Sequence, residues 1–472
     1  MNNLKYNIFL SAIIIWVFIF SFYTLTTKPR FWADEAKSIE LARNFLHFGR
    51  LDIQTEPGKF SSVPHILQST GYPVTVPLAG FFKLFGYGLA QARIYMLLWM
   101  VGAILTVFYV GKKWFGPQNS LLAVLLISTF ASFYDSGRTV VGEIPGFLFL
   151  VSGLYFWTSK NFYYWAGFWL GMAVVTKPAV YGLIIPAITL VFLLERQNFF
   201  KKTFRVAAGM MLAAIGWLLL VPDNIFQLSF WRGIANFYQN PYGQSLIAEN
   251  IINNLKNAPY STTLIYFGFL FLLVAVAGYR IKEEKLRPIY YFIILYGIFA
   301  FGYYLRSPGW LRYILAAELL ILFSLPHAIS VLLSRFKAEK LSAGLVMGLA
   351  AIQLIHLFTS AQIFYSDSEI RLSEILNREF PDKTIGTINS LALSALLSTN
   401  KRFQNVEMTG LPTIGKNPLF YDPLLEVIAF SQNENLSKEN QKILESYYLP
   451  YSQLGGYFIY LSRTLQGVAT PK

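Results

Sequence analysis

The 472-residue chain contains no cysteine. That excludes disulfides, thiolate metal sites and a catalytic thiol, and it removes cysteine as evidence about redox compartment. Charge is also scarce. Charged residues make up 14% of the chain, against roughly 25% in a soluble globular protein. Too few charges exist to clothe a water-soluble surface of this size. With 4 histidines, at positions 47, 65, 327 and 356, no His-rich metal motif is visible. His327 and His356 fall on apolar stretches, where packing is the expected role. His65 is a weak metal or substrate candidate. No small-x-small cleavage site appears before Lys28, so the first apolar stretch reads as a retained span rather than a removed signal.

What is abundant is apolar. Hydrophobic residues make up 55% of the chain and aromatics 17%. A membrane span needs about 20 mostly apolar residues. Candidate spans lie near 8–25, 89–110, 119–134, 143–158, 162–176, 178–194, 204–221, 261–279, 288–305, 311–333 and 341–363. The expected fold is therefore a polytopic α-helical membrane protein of about eleven transmembrane helices. The 39 basic against 25 acidic residues give a net charge of +14. Their placement explains the excess. With the N-terminus inside, the inner loops hold Lys112 and Lys113, Lys160, Arg196 to Arg205, Arg280 to Arg287, and Arg335 to Lys340. The short outer connections hold only Arg138, Lys177, Arg306 and Arg312. This is the positive-inside bias, so the basic balance is topological and nucleic acid is not an expected partner. The expected location is the cell membrane, multi-pass, with a cytoplasmic N-terminus and an extracytoplasmic C-terminus.

Three long segments then face outward. The first, about 26–88, carries helical spacing from Asp34 to Phe48, with Ile39, Ala42, Phe45 and Leu46 apolar and Lys37, Arg43 and His47 between them. That pattern predicts a helix lying in the membrane interface. Pro73 to Phe85 is too short to span and predicts a re-entrant or interfacial helix. The second segment, 222–260, is rich in Asn, Gln and aromatics. The third is the tail, with alternating runs at Thr384 to Ile388 and Glu426 to Phe430 and a helical stretch near 438–448. The chain accordingly divides into a transmembrane unit, 1–364, and a small soluble α/β unit, 365–472, whose role the sequence leaves open.

Four features could carry chemistry, and each has a bland counterpart. Asp34 and Glu35, in Phe31-Trp32-Ala33-Asp34-Glu35-Ala36, are adjacent carboxylates just beyond the first span. Neighbours on a helix point in different directions, so one can face a site while the other finds a second partner. Equally, a helix N-terminus favours acids. Glu143 opens a span, where charge is costly and usually functional; its bland reading is an ion pair with Arg138. Lys177, in Thr176-Lys177-Pro178, is a lone lysine between two spans, either functional or snorkelling. Arg312 and Tyr313 close the run Arg306-Ser307-Pro308-Gly309-Trp310-Leu311-Arg312-Tyr313, where an arginine commonly anchors a helix. All four fall on the same face of the membrane. Acids and cations converging there suggest chemistry on an anionic lipid headgroup.

These residues resemble the C-class membrane glycosyltransferases (GT-C), in the branch of protein O-mannosyltransferases and aminoarabinose lipid A transferases. The similarity covers roughly residues 8–360. It rests on Trp32-Ala33-Asp34-Glu35-Ala36, on Gly71-Tyr72-Pro73 with Phe82-Lys83-Leu84-Phe85-Gly86, and on Lys112-Lys113-Trp114-Phe115-Gly116. Gly137-Arg138 followed by Glu143, Gly171 to Lys177, and Arg312-Tyr313 complete it. The resemblance implies an enzyme that moves a sugar from a polyprenyl-phosphate carrier to an acceptor at the outer face, inverting the anomeric centre in one displacement. The acceptor could be lipid, polysaccharide or protein. Asp34 falls on the acidic position that supplies the base or a metal ligand, with Glu35 beside it. Glu143 falls on the second acidic position, where Asp is commoner. The segment before the second span commonly carries a Pro-Pro pair, whereas Gly71-Tyr72-Pro73 has one proline and no cation.

Elementary chemistry points the same way. An acceptor hydroxyl gains from a carboxylate base, and a departing lipid phosphate needs cationic stabilisation in a low-dielectric setting. Arg138, Lys177 and Arg312, with the Tyr313 hydroxyl, are the expected carrier-phosphate ligands. A divalent ion held by Asp34 and Glu35 could do the same work, and the sequence does not choose between them. The alternative function is a flippase or transporter for lipid-linked saccharides, which would need charges lining a path through the spans.

Overall fold

The computed structural model describes residues 3–56, 58–61, 69–159, 162–196, 198–220, 226–239, 247–360, 367–388, 390–397, 403–407, 425–432, 436, 438–454 and 456–466. The weak candidate His65 lies outside them.

Long apolar runs become helices because a backbone in lipid must satisfy its own hydrogen bonds. Among the described residues, eight helices are long and apolar enough to cross a membrane: Leu4–Phe22, Leu89–Phe115, Pro178–Glu195, Phe199–Leu220, Thr262–Arg280, Arg287–Arg306, Leu315–Ser334 and Leu341–Thr359. Each coincides with a span expected from the sequence. The three remaining candidates take other forms. Residues 119–134 belong to a pair of helices, Pro117–Thr129 and Ala131–Arg138, bent by 69°; counted as one broken span, it raises the total to nine. The stretches 143–158 and 162–176 form the shorter helices Glu143–Thr158 and Tyr163–Thr176. Of the about eleven spans expected, eight are met by helices long enough to cross among the described residues, nine with the broken pair, and the other two stretches form shorter apolar helices. The chain is a multi-pass membrane protein.

The first connecting segment forms α1 (Ala33–Phe48) and α2 (Tyr72–Phe85), joined through a small hairpin of Gln54–Glu56 and Lys59–Phe60. The left-handed Gly49 ends α1, its N–H donating to the Phe45 carbonyl at 3.0 Å. Both expected helices exist, but α1 does not lie open in the interface. Glu35, Ala36 and every residue from Ser38 to Asn44 are buried. One side packs on α2. Another is covered by α3 (Leu391–Leu396) from the tail, whose Ala392 and Ala395 join the core of Phe31, Ala36, Ile39 and Leu78. The Tyr87 hydroxyl donates to the Ala395 carbonyl, fixing that contact.

The tail is an α/β unit. Strands Phe403–Glu407, Ile385–Ile388, Val427–Ser431, Tyr457–Ser462 and Tyr448–Leu454 form a five-stranded sheet in that spatial order, parallel on one side and antiparallel on the other. Helices Ser368–Glu379 and Lys438–Tyr447 accompany it. Ile385–Ile388, Val427–Ser431 and the second helix fall where alternation and helical spacing place them; the other three strands were not expected from the sequence.

Candidate active site

The site lies where α1 meets the span ends. Asp34 sits in the first turn of α1, where the helix dipole favours an anion. Arg312 comes from a 3-10 turn, Leu311–Tyr313, between two spans. The two meet directly: Arg312 Nη1 donates to Asp34 Oδ2 at 2.7 Å. Lys37, one turn along α1, lies 3.4 Å from the other oxygen, Asp34 Oδ1. Burial opposes ionisation of Asp34. The charges of Lys37, Arg312 and Lys177 and the hydrogen bond from Arg312 outweigh it, holding the carboxyl well below the usual carboxylate range. Burial likewise opposes the charge on Arg312, and Asp34 overrides it, pushing the guanidinium above its ordinary value.

Aromatic rings fix the guanidinium. Arg312 Cζ lies 4.8 Å from the Trp32 ring centre, 4.6 Å from Trp310 and 5.4 Å from Tyr313. Such contacts stabilise a cation while leaving its N–H edge free to bond. The turn carrying Arg312 is itself held. Asn254 Nδ2 donates to the carbonyls of Leu305 at 2.9 Å and Ser307 at 2.7 Å, groups a helix C-terminus otherwise leaves unsatisfied. The Asn-rich second segment thus supports the site from a distance.

Glu35 turns away from Asp34. Arg93 grips it with two hydrogen bonds, 2.8 Å from Nε and 2.6 Å from Nη2, and both side chains are fully buried. Arg93 Nη1 also donates to the Leu25 carbonyl at 2.8 Å, tying the end of the first span to α1. Asp34 and Glu35 therefore do not converge on one point. Asp34 is engaged by two cations and Glu35 by a bidentate arginine, and among the described residues no three His, Asp or Glu side chains form a metal-ligating group. Asp34 and Glu35 do not form a shared ligand pair for a divalent ion.

Glu143 pairs with Lys177, at 3.5 Å from Nζ to Oε1, and not with Arg138. Arg138 is buried elsewhere: Nη1 donates to Thr24 Oγ1 at 2.9 Å, and the guanidinium lies against Phe20 and Tyr134. Glycine allows the Glu143–Lys177 approach. A Cβ on Gly142 would lie 2.5 Å from the Thr176 carbonyl oxygen, and one on Gly71 would lie 1.8 Å from that of Val175. The Tyr181 hydroxyl donates to the Glu143 carbonyl and braces the same helix start.

A cavity of about 510 Å³ opens beside this cluster, lined by Arg30, Trp32, Asp135, Glu143, Arg312 and Glu318, among others. Arg30 also reaches Glu369 of the tail at 3.7 Å. Of the residues expected from sequence, Asp34, Glu143, Lys177, Arg312 and Tyr313 gather here; Glu35 and Arg138 are held in contacts of their own. Sequence reasoning missed Arg93, Lys37, Glu318 and the Trp32–Trp310 pair. Arg93 and Glu318 had a signal, as charges inside apolar helices.

Residues 75–221 match the family model of dolichyl-phosphate-mannose-protein mannosyltransferases. That stretch holds Glu143 and Lys177 but neither Asp34 nor Arg312. No curated protein matches the chain in a comparison of curated proteins. Among solved structures, ArnT from Cupriavidus metallidurans bound to undecaprenyl phosphate superposes with TM-score 0.70 at 13% identity, covering 100% of both chains. The Archaeoglobus fulgidus oligosaccharyltransferase in complex with Zn and sulfate gives TM-score 0.56 at 14% identity, over 97% of this chain and 74% of that one. The AglB oligosaccharyltransferase from the same organism, in complex with an inhibitory peptide and a dolichol-phosphate, gives TM-score 0.56 at 12% identity, over 98% and 75%. The chain has the fold of the C-class (GT-C) membrane glycosyltransferases.

Proposed function

We propose that this protein is a glycosyltransferase that takes a sugar from a polyprenyl-phosphate carrier and passes it to an acceptor at the extracytoplasmic face, inverting the anomeric centre. The observation that carries this reading is the Arg312–Asp34 contact at the edge of a sugar-sized cavity: a cation suited to phosphate, joined to a carboxylate suited to a proton. The mannosyltransferase family match and the polyprenyl phosphates held by ArnT and AglB support it. The Lys and Arg bias of the loops supports the orientation.

The mechanism follows from a competition. Without carrier, Arg312 holds Asp34 ionised but poorly basic. The carrier phosphate is a better bidentate partner for a guanidinium than one carboxylate oxygen. As Arg312 turns to it, Asp34 loses both the charge and the hydrogen bond of that guanidinium and regains proton affinity. The acceptor hydroxyl then attacks the anomeric carbon and gives its proton to Asp34. The bond from that carbon to the phosphate oxygen breaks, and its electron pair stays on the phosphate, where Arg312 meets the growing charge. Lys177, held by Glu143, adds positive potential behind Asp34.

Purified protein incubated with a panel of polyprenyl-phosphate sugars should release free carrier phosphate from one of them in the presence of acceptor. A flippase would move the intact lipid and release none.

A further inference from the structure

Glu318 lies one turn inside the span Leu315–Ser334, where an ionisable side chain is expensive and rarely idle. The residue is 2% exposed, and its Oε1 is buried with no hydrogen-bond partner among the described residues. A helix-start acid stabilised by the dipole would need no cavity, yet Glu318 lines the same cavity as Arg312. Glu143 lines the same cavity and is 1% exposed, and its Oε2, the oxygen not facing Lys177, likewise has no partner among the described residues. Leaving a buried carboxyl oxygen unbonded costs free energy, and the cost is recovered when a hydrogen-bond partner arrives. Two such oxygens, on carboxyl groups that both line one cavity, point to a ligand with more than one hydrogen-bond donor that a rotation of each side chain brings within reach. Sugar hydroxyls meet that requirement, and phosphate does not.

We propose that Glu318 is a specificity-determining residue that accepts a hydrogen bond from a hydroxyl of the donor sugar, with Glu143 Oε2 reading a second hydroxyl in the same cavity. This rests on the reading above, in which the carrier phosphate meets Arg312; the sugar attached to it then enters the cavity between Arg312 and Glu318. Glu318 takes no proton from the acceptor and touches no breaking bond. It decides which sugar sits correctly. A site built around such a hydroxyl rejects the analogue that lacks it, because its own buried oxygen is left unpaired.

The test uses the full-length protein, the best polyprenyl-phosphate sugar found for it, and the set of monodeoxy analogues of that sugar. Wild type should prefer the parent over one particular deoxy analogue by roughly 10- to 100-fold in kcat/KM. Glu318→Leu should lower kcat/KM for the parent by a similar factor and bring that one ratio close to unity, leaving the other ratios in place. Its melting temperature without donor should equal or exceed that of wild type, since the change removes an unpaired buried polar group. Glu318→Gln, which keeps an acceptor oxygen but replaces the other oxygen with an amide, should narrow the same ratio several-fold. Unchanged ratios in both variants would overturn the proposal while leaving the transferase intact. So would a lower melting temperature with activity reduced equally on every donor, the mark of a merely structural residue. A wild-type protein that releases carrier from no donor would sink the parent reading, and this one with it.

Discussion

Arg312 and Asp34 are 278 positions apart in the chain, and their side chains meet at 2.7 Å. Asp34 comes from the first helix after the first span and Arg312 from a turn between two late ones. The pair therefore exists only in the assembled bundle. It also places the proposed phosphate ligand and the proposed base in direct competition before any substrate binds.

Asp34→Asn keeps size and hydrogen bonding but removes the charge and the ability to take a proton. Turnover should fall roughly 10²-fold or more, the scale of losing a general base. Affinity for polyprenyl phosphate should stay level or rise, because Arg312 no longer has a competing carboxylate. Calorimetric titration of the carrier beside a turnover assay separates the two effects. Near-normal turnover in folded protein would move the base to Glu143.

Arg312→Ala should weaken carrier binding and lower kcat together, since phosphate gains charge in the transition state. Arg312→Lys should restore part of the binding and less of the turnover, because an ammonium offers a point charge where the guanidinium offers a planar fork among Trp32, Trp310 and Tyr313. The same assays on Arg138→Ala should give carrier affinity close to wild type, as Arg138 bonds to Thr24 and does not line the cavity.

Glu35→Gln should act on stability. Both partners of the Glu35–Arg93 pair are fully buried, and breaking such a pair by removing one charge costs about 3–5 kcal/mol. A lowered melting temperature in detergent is the expected result. Replacing both residues by leucine should recover much of the loss. A Glu35→Gln protein as stable as wild type would show that the pair is not what holds the first span to α1.

The pH dependence has a definite sign. The Asp34 carboxyl is depressed in the free protein, so its contribution to stability is present above the ordinary carboxylate value, near 3.9. That contribution is lost as pH falls through this value toward the depressed one. The stability difference between wild type and Asp34→Asn should therefore shrink in acid. Catalysis adds a second sign. kcat/KM reports the free enzyme and kcat the complex. Carrier phosphate draws Arg312 away, so the acidic limb of kcat should lie at higher pH than that of kcat/KM. Coincident limbs would mean that Arg312 does not change partners.

The spans were legible because twenty apolar residues in a row have one stable answer in lipid, and the eight long helices sit where hydropathy puts them. Asp34, Glu143, Lys177 and Arg312 were legible as charges at span ends. Their pairing was not. Glu143 has Arg138 five positions away in sequence, yet it takes Lys177, because Gly142 lets that backbone close in. The burial of α1 was hidden for the same reason: its cover comes from Ala392 and Ala395, more than 300 positions along the chain. Glu318 drew no reading from the sequence, although it is a charge inside an apolar span, and the cavity beside it is what gives it a candidate role.

The most direct test is a phosphorus NMR time course of the full-length protein with its best polyprenyl-phosphate sugar and acceptor. Carrier release converts a phosphodiester to a phosphomonoester, and the two resonances are separate. Wild type should convert the signal, with Asp34→Asn and Arg312→Ala each slower by roughly 10²-fold or more. Persistence of the phosphodiester in wild type across the whole donor panel, or equal conversion in all three proteins, would contradict the account.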